Sequence, residues 1–261
     1  MTHGEPDPGA YEMLVHASFA PSAIDARYEA VLAPVPPELR RTLEAEWPGR
    51  VEKAAREGVH LTNGHLLRLT DYRATDSTLR LTLGDTTYAE FLGSNCVPQR
   101  HAETPWSSLA NPLGTSALIV TADNKLVLGL RGDKVMHMRN QLHTIGGMFE
   151  AADLIDGVVD ATGSILREVR EELGVGDTDI ANVVCRGLIR EIQHLQPELM
   201  FEVQVNLTYA DVQDTWRAAE SRDEHAQLIA IRDDRDSIAE FLASNPIMAP
   251  QARAALELRG A

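Results

Sequence analysis

The chain has 261 residues, of which 39 are Asp or Glu and 24 are Lys or Arg, for a formal charge of −15. The excess of acid excludes a nucleic-acid or anionic-membrane surface, which needs clustered cations, and an apolar content of 44% excludes wholesale disorder. The length accommodates one large domain or two modest ones.

The N-terminus, MTHGEPDPGAYE, is acidic and lacks the basic start and apolar stretch of a signal peptide. No apolar run approaches the ~20 residues that span a bilayer. The two cysteines, Cys96 and Cys185, are too few and too distant for a disulfide framework or a zinc site, and read as reduced thiols. These features predict a soluble, cytoplasmic protein.

In chain order, Glu12 to Phe19 reads as a short strand. Pro37 to Glu57, rich in Glu, Leu, Arg and Ala, reads as a helix with a possible break at Pro48. His65 to Leu69 and Thr78 to Leu83 read as strands around a polar turn. In Thr87 to Asn95, residues Tyr88, Phe91 and Leu92 fall at helical spacing as core positions, with Gly93 as a C-cap. Cys96 to Pro112 holds three prolines without a clear period, which suits a connection between units.

After it, Ser116 to Thr121 and Leu126 to Arg131 flank Ala-Asp-Asn-Lys as a hairpin. Gly146-Gly147 leads into a long loop, and a helix runs from about Thr162 to Leu173, stopped by Gly174 at the left-handed C′ position. Val183 to Ile189, Leu199 to Leu207 and Gln227 to Arg232 are further strands, accompanied by two or three helices. Strands flanked by helices predict an α/β fold, an α/β/α sandwich with a mixed sheet. The texture divides the chain into a smaller α+β domain, 1–110, and a second domain, 111–261.

The chemistry concentrates in residues 167–175, Arg-Glu-Val-Arg-Glu-Glu-Leu-Gly-Val. Glu168, Glu171 and Glu172 share one helical face, and like charges there oppose the helix by a few tenths of a kcal/mol per pair, ~0.2–0.5. Arg167 and Arg170 offset part of this, and a hard divalent cation offsets more. Alone, such a run is a solvated acidic face. A preceding Gly-Gly turn, an arginine beside the first glutamate and a terminating glycine between apolar residues argue for more than that.

The stretch resembles the Nudix box, G-x5-E-x7-R-E-U-x-E-E-x-G-U with U aliphatic. The second half is complete in Arg167, Glu168, Val169, Glu171, Glu172, Gly174 and Val175. Gly146, Gly147 and Glu150 resemble the opening, but about six extra residues precede the arginine. The first consensus glutamate is replaced by Asp153 counted from the glycine, or roughly by Asp160 counted back from Arg167. The role of the insertion, 151–161, is not readable.

The resemblance implies a Nudix-type sandwich and a hydrolase of nucleoside diphosphates linked to another moiety. It implies Mg²⁺ (or Mn²⁺) held by Glu168, Glu171 and Glu172, with Arg167 orienting the carboxylates. The general base varies within the family: Glu171 is a box candidate, Glu224 a later-loop candidate and Glu150 a further possibility. His143 and His225 read more simply as surface or packing residues than as substrate contacts.

A narrower resemblance, to the Nudix branch that cleaves UDP-glucose and UDP-galactose, covers Leu79–Asn95 (LRLTLGDTTYAEFLGSN) and Asn111–Arg131 (NPLGTSALIVTADNKLVLGLR). It extends weakly over Arg41–Leu69. That branch also carries a long insert after its Gly-Gly, but is irregular where this chain keeps Glu171 and Glu172. The expected products are UMP and a sugar 1-phosphate. Arg68, Asn95, Arg131, Arg139 and Gly147 are the candidate substrate contacts, the arginines because a guanidinium fits phosphate. ADP-ribose or another nucleotide-linked metabolite is the alternative substrate, and a non-catalytic nucleotide sensor the alternative class. No residue in these motifs reads a nucleobase, and a homo-oligomer is left open.

Overall fold

Runs of β-branched and leucine residues, broken by glycine, proline and acidic turns, build two sheets in the computed structural model, which describes residues 9–33, 35–59, 61–101, 104–132 and 138–260. The strands are β1 (Tyr11–Phe19), β2 (Ile24–Leu32), β3 (His65–Ala74), β4 (Leu79–Thr87), β5 (Gly114–Val120), β6 (Lys125–Arg131), β7 (Leu142–His143), β8 (Ile145–Met148), β9 (Leu154–Ile155), β10 (Val158–Val159), β11 (Ile180–Glu191), β12 (Pro197–Val205) and β13 (His225–Arg232). The helices are α1 (Pro37–Arg56), α2 (Tyr88–Gly93), α3 (Pro98–His101), α4 (Ala161–Leu173), α5 (Tyr209–Arg217), α6 (Arg235–Ser244) and α7 (Pro250–Gly260).

The larger sheet runs β1-β11-β12-β5-β6-β13, with β7 on β6 and β8 on β5. Only β12 and β5 pair in parallel, Met200 lying opposite Ser116, so the sheet is mixed. Strand β5 is buried along its whole length and serves both faces. Ala117 and Ile119 pack with Ile165, Val169 and Leu173 of α4 and with Val212 and Trp216 of α5. Leu118 and Val120 pack on the other side with Ile238 of α6 and with Ala252, Ala255 and Leu256 of α7. This is the expected α/β/α sandwich. Each fully buried Leu, Ile or Val contributes ~1.5–3 kcal/mol.

The smaller sheet runs β3-β4-β2-β10-β9. Its inner leucines, Leu67, Leu69, Leu79, Leu81 and Leu83, belong to the same cluster as the α4 side of the sandwich. The chain crosses the expected 110/111 division twice. Strand β1 pairs with β11 in the larger sheet, and the insertion supplies β9 and β10, the latter pairing with β2 through Val158 and Arg27. The sequence reading assigned neither β2 nor the two insertion strands.

Helix α1 continues through Pro48. Trp47, Val51 and Ala54 pack into the cluster of Phe91, Leu92 and Ala110, which holds the helix on both sides of the proline. Gly93 closes α2 with Ser94 as its cap. A Cβ at 93 would lie 2.0 Å from Leu43 Cδ2, so the glycine admits α1 instead of capping α2. The acidic start, 1–8, and residues 102–103 of the connection lie outside the described residues. Among the described residues no helix is long and apolar enough to cross a membrane.

Candidate active site

Helix α4 is placed by its apolar stripe and by its two ends. Asp160, one of the two positions aligned with the missing consensus glutamate, is the N-cap, its carboxylate accepting from Gly163 N at 2.8 Å. Gly174 closes the helix in the left-handed region, φ 67°, as expected. The other aligned residue, Asp153, faces Arg167 at 3.5 Å and accepts from Ser164 Oγ at 3.1 Å and Glu150 N at 2.9 Å.

The acidic face of α4 is also divided. Arg167 Nη1 lies 2.8 Å from Glu168 Oε1 and 3.6 Å from Glu171 Oε2, so it holds both carboxylates. These two glutamates line a cleft of about 400 Å³ with Glu150, Arg167, Glu224, Arg131 and the Gly146-Gly147 turn. Glu172 does not line it. Its side chain is 1% exposed, against 35% for Glu171. Its Oε1 accepts from Gly146 N at 2.9 Å and its Oε2 meets His225 Nε2 at 2.5 Å. Burial pushes the Glu172 carboxyl well above the usual range, and burial followed by Arg131 pulls His225 down to about 4. Both shifts favour uncharged partners sharing one hydrogen bond.

The glycine pair is required by close approach. A Cβ at 146 would sit 2.0 Å from the Thr115 carbonyl oxygen, and one at 147 would sit 2.6 Å from Glu168 Oε1. Gly147 thus leaves room for the carboxylate rather than contacting ligand through a side chain. Burial, with Glu172, Glu171 and Glu224 nearby, pushes Glu168 up to about 8 against the opposing pull of Arg167. Such a carboxylate is short of positive charge.

That deficit fits a divalent cation. Among the described residues no three His, Cys, Asp or Glu side chains converge on one point. Glu168 and Glu171 nonetheless supply hard oxygen donors on one wall, and Mg²⁺ is commonly held by one or two carboxylates with waters and substrate phosphates completing its shell. The donor chemistry fits Mg²⁺ or Mn²⁺; Glu172 is placed as the anchor beneath them.

The other expected residues separate clearly. Arg131 reaches the cleft, where its Nη1 donates to Glu224 Oε2 at 3.0 Å and its buried Nε has no partner. Glu224 stands at the cleft wall in a short turn before β13, whose backbone is tied to Gly132 N at 2.8 Å. Arg139 Nη2 turns to Glu57 Oε2 at 3.7 Å, at the end of α1. Arg68 and Asn95 line neither the cleft nor its neighbour. Arg68 is buried and donates to the carbonyls of Ser107, Leu109 and Ala110. Asn95 is buried between Asn111 and the His194 carbonyl, with Nδ2 distances of 2.9 and 2.8 Å. Both brace the connection between the sheets.

Beyond the glycine pair lies a smaller pocket of about 170 Å³. Tyr88, Arg131, Gly146, Gly147 and Met148 line both cavities, so the two adjoin. Its other lining includes Phe91, His143, Gln196, Glu198 and Gln251. Ser116 Oγ donates to Glu198 Oε1, and Gln251 Nε2 donates to Glu198 Oε2 at 2.6 Å. Burial, reinforced by Glu191, pushes Glu198 up to about 7 against these two hydrogen bonds. Burial and Arg131 pull His143 down to about 3, so its ring is neutral. The sequence reading missed Ser116, Glu198 and Gln251. Its one available signal was Glu198 just ahead of the apolar run Leu199–Phe201 in the strand PELMFEVQV; nothing local joins it to a glutamine 53 residues on.

No family model matches the chain. Over 157 residues it is 28% identical to the Bos taurus protein named uridine diphosphate glucose pyrophosphatase NUDT22, a match covering 51% of this chain and 54% of that one. The chain therefore spans about half the length of that curated relative. Among solved structures it is similar to DR0079 from Deinococcus radiodurans (11% identity, 56% of this chain and 81% of that chain, TM-score 0.41). It is similar also to a Nudix hydrolase from M. smegmatis, RenU (13% identity, 57% and 84%, TM-score 0.36). TM-scores below 0.5 make these loose likenesses. The chain resembles the Nudix hydrolases, and within them the UDP-sugar branch.

Proposed function

We propose that this chain is a divalent-metal-dependent hydrolase that cleaves the diphosphate of a nucleoside diphosphate sugar, taking UDP-glucose or UDP-galactose to UMP and the sugar 1-phosphate. The observation that carries this reading is the convergence of Glu168, Glu171 and Glu224 with Arg131 and Arg167 on one cleft beside Gly146-Gly147. The resemblance over residues 79–131 and the bovine UDP-glucose pyrophosphatase support the choice of substrate.

When bound, Mg²⁺ or Mn²⁺ supplies neutralisation of the diphosphate charge and makes water more acidic. Glu168 and Glu171 hold the cation, and Arg167 keeps both carboxylates in place from one side. Arg131, with a buried Nε free of protein partners, donates to a diphosphate oxygen. Glu224 accepts the proton of the attacking water. The new bond joins water oxygen to one phosphorus, the bridging P–O bond breaks, and the departing phosphate takes the electron pair.

The test is incubation of the purified protein and Mg²⁺ with UDP-, ADP-, GDP- and CDP-sugars and ADP-ribose, with products resolved by chromatography. UMP and sugar 1-phosphate, formed fastest from a UDP-hexose and abolished by EDTA, are expected. Preference for ADP-ribose over every UDP-sugar would overturn the substrate. Ligand-induced thermal stabilisation without any product would overturn hydrolysis in favour of a sensor.

A further inference from the structure

Gln251, one of the residues lining the smaller pocket, carries a buried acceptor that no protein group satisfies. Gln251, at the start of α7, is 3% exposed, and its Oε1 has no hydrogen-bond partner. The orientation of its amide is dictated by Glu198. One carboxylate oxygen takes the Ser116 hydroxyl proton and the other takes the Gln251 Nε2 proton. Turning the amide over would set its carbonyl against a carboxylate and lose a charge-assisted hydrogen bond. Against the ionised Glu198 carboxylate Gln251 is held as an acceptor, and a complementary ligand brings a donor. Leaving a buried acceptor without one is costly.

The rest of the pocket narrows the ligand. Tyr88 and Phe91, with ring centroids 6.0 Å apart, and Met148 supply flat or polarisable apolar surface. His143 donates from Nδ1 to its neighbour's carbonyl, Thr144 O, at 2.6 Å, which leaves Nε2 of the neutral ring as a second acceptor. Arg131 lines both this pocket and the acidic cleft, so the pocket adjoins the cleft proposed for the diphosphate. An aromatic-walled recess presenting acceptors beside a diphosphate cleft suits a base with a ring N–H.

We propose that Gln251 reads the nucleobase, its Oε1 accepting from the ring N3–H of a uracil seated in this pocket, with Ser116 and Glu198 acting as positioning residues. This rests on the reading of the chain as a nucleoside diphosphate sugar hydrolase and gives that reading its base preference. Cytosine presents a bare ring nitrogen at the same position and meets Gln251 acceptor to acceptor. A site built to satisfy a donor discriminates against analogues lacking it more strongly than a merely apolar pocket does.

The test compares UDP-glucose, its N3-methyl analogue and CDP-glucose on the unaltered protein and on Gln251→Met, following kcat and KM separately. The same protein with Mg²⁺ is titrated calorimetrically with UMP, N3-methyl-UMP and CMP. In the unaltered protein kcat/KM falls about tenfold to a hundredfold for the methylated and cytosine substrates, mostly through KM. Gln251→Met shows a similar loss on UDP-glucose and little further loss on methylation. Equal handling of UDP-glucose and its N3-methyl analogue by the unaltered protein overturns the assignment whether or not the variant folds. Full discrimination retained by Gln251→Met overturns it as well. Failure to hydrolyse any nucleotide sugar would defeat the functional reading, and the UMP against N3-methyl-UMP titration would still decide the base contact.

Discussion

Glu171 and Glu172 are adjacent in the chain and occupy the two sides of one helix surface. Glu171 opens to the cleft and shares Arg167 with Glu168. Glu172 is sealed beneath the Gly146 amide and the His225 ring. The same carboxylate is an electrostatic resource in the first setting and a fastener between helix, turn and strand in the second. Identity of residue type within a motif does not imply identity of task.

The contrast can be broken most directly at Glu171. Glu171→Gln should lower kcat by about 10²-fold or more if the cation supplies the main electrostatic contribution, with little change in Tm. Glu172→Ala should also depress turnover strongly, since it removes the acceptor that holds the glycine turn, and should lower Tm besides. Full activity of both variants with Mg²⁺ would defeat the catalytic reading of the helix. Identical effects of the two on kcat and Tm would erase the difference between the sides.

Next in size is the cost of removing the fastener. Glu172→Ala leaves the Gly146 amide and the His225 ring without their partner, and a loss of about 2–4 kcal/mol in urea unfolding is expected. A loss no larger than that of a surface glutamate would return Glu172 to the cleft.

The pH dependence sharpens the cleft side. The metal-free Glu168 carboxyl is pushed up to about 8. Below that pH a cation must displace its proton, so Mg²⁺ affinity should rise with pH, about tenfold per unit for one proton, and level off above it. The linked stability has the opposite sign. The folded state binds the extra proton, so this group's contribution to metal-free stability is present at low pH and lost as pH rises through the folded value. Calorimetric Mg²⁺ titrations between pH 6 and 9 check the first statement, roughly spanning the shifted group; an affinity flat across that window contradicts it.

The smallest expected effect belongs to a residue outside both cavities. Arg68→Met removes three contacts to linker carbonyls and should cost about 1–2 kcal/mol of stability. Its KM for nucleotide sugar should remain unchanged. A raised KM in a stably folded variant would restore Arg68 to the substrate.

The cleft was legible where chemistry is local. The spacing of Glu168 and Glu171, the Gly-Gly turn and the stop at Gly174 are backbone and charge requirements written within a few residues of one another. Arg131 was legible as a cation ending an apolar strand. What escaped depends on distant partners. Nothing near Glu172 announces that His225 will cover it, and Arg68 looks the same facing phosphate as facing three carbonyls. The Ser116–Glu198–Gln251 chain is assembled from β5, β12 and α7, which meet only once the sandwich has formed. The spacing did not choose between Asp153 and Asp160, and the fold uses them differently: Asp160 caps α4, whereas Asp153 faces Arg167 and Ser164.

The interleaved sheets bear on how the molecule is made. Strand β1 is synthesised early, but its partner β11 begins at Ile180; β2 gains its neighbour β10 only when Val158 has appeared. During synthesis the first hundred residues hold one strand awaiting an absent sheet and another with an open edge, a state exposed to mispairing. The acquisition of structure is therefore expected to be delayed until most of the chain has left the ribosome. A cut at the nominal boundary would yield two fragments that each lack strands carried by the other.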